Sequence, residues 1–139
     1  MDWKIATLML LAGPALASDL PRSPAPPGVE LYFISPQDGA TLANPVTVRF
    51  GLKGMGIAPA GIALANTGHH HLLIDTELPP LDRPVPADAQ HIHFGKGQTE
   101  TTLTFAPGRH RLQLLLGDHL HRPHEPVIVS LPIEINVRR

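Results

Sequence analysis

Apolar residues along this chain recur at every second position, in short runs cut apart by proline and glycine. Sixteen prolines and twelve glycines stand among its 139 residues. Proline inside a helix removes a donor and clashes with the preceding turn. A period of two places alternate side chains on opposite faces of an extended strand. Together these features predict an all-β chain without a helix.

Seven runs carry the pattern. Glu30 to Ser35 reads as a first strand, ended by Pro36-Gln37-Asp38-Gly39, where proline fixes φ and glycine accepts a positive one. Val46 to Leu52 makes a second, His70 to Asp75 a third and His91 to Phe94 a short fourth. Thr99 to Phe105, Arg109 to Leu116 and Val127 to Val137 complete the set. Seven short strands predict an immunoglobulin-like antiparallel β-sandwich, with a small barrel as the alternative. The chain has no cysteine. The Cys…Trp…Cys signature of antibody domains is therefore missing, as are thiolate metal sites and cysteine nucleophiles.

The ends suggest export. Residues 1–17 read as a signal peptide: Lys4 near the amino terminus, an apolar run from Ile5 to Ala12, and the small-x-small sequence Ala15-Leu16-Ala17. The run is far shorter than the roughly 20 residues that span a bilayer, so no membrane span is expected after cleavage. Residues 18–28 read as a proline-rich leader, and 29–139 as a single β-sandwich domain. A periplasmic or secreted location follows as an expectation. Formal net charge is −1 and the basic residues are scattered, which argues against a nucleic-acid partner.

Nine histidines are present, and eight fall in three clusters: His69-His70-His71, His91-Ile92-His93, and His119 to His124 with Leu120, Arg122 and Pro123 interleaved and His121 between them. In an immunoglobulin-like sandwich the connections after the second, fourth and sixth strands gather at one end. Each cluster lies beside one of those connections, so all three are expected to meet. His69 and His71 share one face of their strand, and His91 and His93 share one face of theirs. The candidate metal ligands are therefore His69, His71, His91, His93, His119, His121 and His124.

His70 alternates with Leu72 and Ile74 and reads as a hydrogen-bonded packing residue. His110 reads as a corner residue that bonds backbone at the other end. Glu100 and Asp118 are expected beside the site, accepting the second ring N–H of a liganding histidine; Asp118, after Gly117, also suits a turn start. Met55 is a lone candidate for a soft ligand. Imidazole without thiolate suits Cu(II), Zn(II) or Ni(II), and an exported protein makes a copper or zinc ion the expected cofactor, copper ahead.

Four stretches carry a resemblance: Ser35-Pro36-x-Asp38-Gly39-Ala40, Gly68-His69-His70-His71-Leu72-Leu73-Ile74-Asp75, His91-x-His93-Phe94-Gly95-x-Gly97-Gln98-Thr99-Glu100, and Gly117-Asp118-x-x-His121-x-Pro123-His124. From about Glu30 to Val137 the chain resembles the bacterial exported family called domain of unknown function 4399. The resemblance implies an envelope location and one β domain, and brings no settled activity. In general plan the chain is also similar to small β-sandwich copper carriers of the bacterial periplasm. Those use an N-terminal histidine, whereas the expected mature terminus here is Ser18, so that ligand does not carry over.

The leading expectation is a non-catalytic metal-binding protein of the periplasm: a carrier, buffer or sensor whose partners are a metal ion and an envelope protein. An interaction module with a hydrogen-bonded histidine rim is the alternative. A metal-dependent enzyme is disfavoured, since HExxH and GxSxG are absent. Ser35 and Ser130 lie far from the histidine end expected from the strand order.

Overall fold

The computed structural model describes residues 20–139, so the segment read as a signal peptide lies outside the described residues. Nine strands follow in order: β1 (Glu30–Ser35), β2 (Thr41–Leu42), β3 (Val46–Lys53), β4 (Gly56–Ile57), β5 (Thr67–Ile74), β6 (His91–His93), β7 (Glu100–Leu103), β8 (Gly108–Gly117) and β9 (Ile133–Val137). No helix occurs among the described residues, and none of them forms a helix long and apolar enough to cross a membrane.

The strands form two sheets. One runs β1-β3-β7; the other runs β2-β9-β8-β5-β4, with β6 on β5 as well. The principal ladders are antiparallel, while the two-residue strands β2 and β4 pair in parallel with β9 and β5. The result is an all-β sandwich and not a barrel. Period-two alternation explains the packing. In β3, Val46, Val48 and Phe50 turn inward while Thr47 and Arg49 face solvent. They meet Leu72, Leu112, Leu114 and Leu116 from the second sheet, with Phe94, Ile135 and Val137 completing the core. Each such buried side chain contributes about 1.5–3 kcal/mol.

In the second sheet β5 and the latter half of β8 are buried on both faces, which explains why they read as nearly continuous apolar runs. On its outer face Leu73 and Leu115 pack with Val85, Val127 and Val129. That covered outer face is where the histidines converge.

The expected seven strands are present with shifted bounds. The third begins three residues early, at Thr67, and ends at Ile74 because Asp75 takes a left-handed φ of 52°. The seventh is broken: Val129 makes only an isolated bridge to Leu115, and a regular strand resumes at Ile133, after Pro132. The stretch read as a leader is paired to the rest of the domain over its described part. Pro24 bridges Glu125, the Ala25 amide donates to the Glu125 carbonyl at 3.0 Å, and the Glu125 amide donates to the Ser23 carbonyl at 3.0 Å.

Candidate metal centre

β5 supplies two of the candidate ligands. His69 and His71 stand two residues apart on its outer face, and both are essentially buried. β6 pairs with β5 so that His93 is the direct partner of His71. Ile92 and Phe94 turn into the core, which leaves the His93 ring on the outer face. His121 arrives from the β8–β9 connection. Its φ of 63° lies in the left-handed region. A non-glycine residue there costs about 1 kcal/mol or more and persists where its surroundings over-determine it.

The four rings form one group. His69 Nε2 lies 3.1 Å from His93 Nε2 and 3.2 Å from His121 Nδ1. One ring nitrogen from each of His69, His71, His93 and His121 falls within 4.8 Å of all the others. His69 stands nearly perpendicular to His93 and His121, at 80° and 83°. A neutral imidazole has one donor and one acceptor nitrogen. Three nitrogens converging on one point cannot all be satisfied by the protons they carry, whereas one cation accepts every lone pair. Nδ1 of His69 and Nδ1 of His71 are buried without partners among the described residues.

Burial sets the charge state. It lowers the His69 pKa to about 4, helped by His93 and His121, and the His71 pKa to about 3, helped by His69, His93 and His121. Burial, followed by His121, also lowers His93. His69 and His71 are thus neutral at pH 7, the form in which imidazole coordinates metal.

Two glycines make room for the rings. A Cβ on Gly95 would overlap the His93 imidazole, and one on Gly117 would come 2.6 Å from His71 Cε1. Both clashes are below any tolerated contact. The signal was present in the sequence, since glycine flanks each cluster at Gly68, Gly95 and Gly117, yet only the fold reveals which ring each one admits.

Of the seven candidate ligands, four come together and three do not. His91 sits opposite Leu73, not His71, and its Nδ1 pairs with the Asp88 carboxylate at 2.7 Å. His124 is buried, with Nε2 3.3 Å from the Thr67 carbonyl, outside the four-ring group. His119 lines a neighbouring cavity of about 170 Å³ with Ser23, Ile62, Leu64, Asp118 and His124.

Both carboxylate expectations are corrected. Glu100 lies on β7, in the other sheet, and pairs with Arg49 at 3.1 Å on the exposed face, so it cannot reach the centre. The Asp118 carboxylate accepts no histidine ring N–H among the described residues. Its Oδ1 accepts the Leu120 and Arg122 amides, and its Oδ2 accepts the Ser23 hydroxyl. Burial raises the Asp118 pKa, but these hydrogen bonds outweigh it and hold the carboxyl below its usual range.

His70 packs as expected, but neither ring nitrogen has a hydrogen-bond partner among the described residues. His110 is the corner residue anticipated: Nε2 meets the Ala106 carbonyl at 2.7 Å, and Nδ1 meets Asp75 at 2.7 Å. Met55 packs against the core.

No curated protein and no solved structure matches this chain. The sequence model of one family matches residues 48–138, the span that contains all four imidazoles. The chain belongs to that family, described as Domain of unknown function (DUF4399).

Proposed function

We propose that this protein is an exported metal carrier or buffer that holds one copper or zinc ion on His69, His71, His93 and His121. The observation that carries the reading is the convergence of four ring nitrogens from three separate segments within 4.8 Å of one another. In a tetrahedral site with ligands at about 2.0–2.1 Å, neighbouring nitrogens lie roughly 3.3–3.4 Å apart. The contacts of 3.1 and 3.2 Å around His69 are already close to that spacing. Neutral, buried rings need little reorganisation to coordinate.

An all-imidazole donor set without thiolate favours Cu(II) and Zn(II), and Cu(II) binds more tightly in the Irving–Williams order. Four protein ligands fill a tetrahedral ion, which suits storage and delivery better than catalysis, where a position stays open. Exposed Ile62, Leu64 and Leu120 lie on the connections after β4 and β8, the latter of which carries His121. They offer contact area to an envelope protein that gives or takes the ion.

Calorimetry tests the reading. The wild-type protein should bind about one equivalent of Zn(II) or Cu(II) with sub-micromolar affinity, and a variant carrying His93→Ala and His121→Asn should not. Asparagine tolerates the left-handed backbone at position 121, so the loss would report the imidazole and not the turn. Equal binding by both proteins would overturn the assignment.

A further inference from the structure

Three ligands of the centre stand on strands and are fixed by the β5–β8 and β5–β6 ladders. The fourth, His121, hangs on the β8–β9 connection, and its backbone conformation needs outside support. We propose that Arg22, Ser23 and Asp118 form a latch that positions His121 over the three strand-borne rings and so governs the fourth coordination bond. The consequence for a bound ion rests on the metal-binding reading above.

Asp118 is the centre of the latch and is 4% exposed. Its carbonyl accepts the His121 amide at 2.9 Å, and its own amide donates to the Arg122 carbonyl at 2.9 Å. Oδ1 accepts the Leu120 amide at 2.9 Å and the Arg122 amide at 3.0 Å. These four bonds close a tight loop around position 121. The second oxygen points elsewhere and accepts the Ser23 hydroxyl at 2.7 Å.

Ser23 belongs to a strap that pairs with residues 123–125, just beyond His121. The Arg22 guanidinium donates to the Pro123 carbonyl at 3.0 Å, to the His124 carbonyl and to the Glu125 carboxylate. Backbone bonds join Ala25 and Ser23 to Glu125, and Arg122 Nη1 reaches the Leu20 carbonyl at 2.8 Å. The Val85 amide also donates to the His121 carbonyl at 2.8 Å, so the left-handed histidine is held by a further bond from the β5–β6 connection.

With the strap removed, that backbone is free to relax to an ordinary φ, and the imidazole withdraws from the other three. Because hydrogen bonding occupies both oxygens of Asp118, it acts as a positioning residue and not as a ligand. Arg22, Ser23 and Asp118 stand outside the apolar core between the sheets. Loosening them therefore leaves the sandwich in place.

The full chain carrying Arg22→Ala and Ser23→Ala tests this in two arms, with Ser23→Thr alone as the variant that keeps the hydroxyl. In metal-free protein, hydrogen exchange of the Leu120, His121 and Arg122 amides should quicken at least tenfold, while β5 and β8 amides stay as in wild type. In the metal arm, Zn(II) release to a chromophoric chelator should quicken at least tenfold. The Cu(II) electron paramagnetic resonance spectrum of the double variant should lose one coupled nitrogen, and Ser23→Thr should keep the wild-type spectrum. Unchanged exchange at those three amides overturns the latch, as does an equal rise throughout β5 and β8, which would report general destabilisation. Local loosening with unchanged release and spectrum overturns its control of the fourth bond. If the wild-type protein takes up neither ion, yet the double variant shows the local exchange effect, the latch is supported and the metal-binding reading alone is refuted.

Discussion

His70 lies with its ring centroid 5.0 Å from that of Phe50, and neither of its nitrogens finds a hydrogen-bond partner among the described residues. Burial lowers its pKa to about 4. Its folded pKa is thus below the unfolded value of about 6.5. Protons then bind the unfolded chain first, so stability falls as pH drops from about 6.5 towards 4. The residue's share of that loss reaches about 3 kcal/mol at pH 4. His70→Leu should flatten this acid-side decline and raise stability at pH 7 by about 1–2 kcal/mol, because a buried unpaired polar group is removed. Urea unfolding at several pH values measures both effects. Gly95→Ala addresses the centre itself. The added methyl collides with the His93 ring, so metal affinity should drop at least tenfold in calorimetry while the fold persists. The alternation of His70 with Leu72 and Ile74 shows in the sequence which way it faces. The lack of a partner does not, because partners come from other strands.

At the level of elements, pairing decides which histidines meet. β6 joins the edge of β5, and this single ladder sets His93 beside His71. β7 joins the other sheet and carries Glu100 away. Strand positions were legible from period-two alternation, and so was the gathering of the three clusters. Sheet membership was not, because alternation reveals a strand's two faces but not its neighbours. Glu100→Gln is therefore expected to leave metal affinity unchanged and to cost under about 1 kcal/mol, since the Arg49 pair is exposed. Titration calorimetry and thermal melts check the two halves of that statement. The Asp75–His110 pair joins the end of β5 to the start of β8. Burial lowers the His110 pKa, but the Ala106 carbonyl and Asp75 outweigh it and the net shift is upward. The stability contributed by this pair is present in full below about pH 6.5 and is lost as pH rises through the folded value. Asp75→Asn should remove that alkaline-side decline in melting curves recorded from pH 5 to 9.

Across the whole molecule, the sandwich core and the histidine centre occupy opposite faces of one sheet. Leu72, Leu114 and Leu116 face inward from the same strands that send His69, His71 and Leu115 outward. Stability and chemistry are thereby separated by a single backbone layer. The sequence pointed to an end of the sandwich as the meeting place. The rings lie on the outer face of the second sheet, beside the last residues of β6 and β8, where Val85, Val127 and Val129 from the connections cover that face. Ligand-driven stabilisation follows directly: an ion at a hundred times its Kd should raise stability by about 2.7 kcal/mol. The most direct measurement of the central claim is X-ray absorption at the metal edge of protein loaded with one equivalent of Zn(II). The expected spectrum shows four imidazole nitrogens at about 2.0 Å, reduced to three in His121→Asn. A first shell made mainly of water oxygens, or one unchanged by that substitution, would contradict the four-histidine centre.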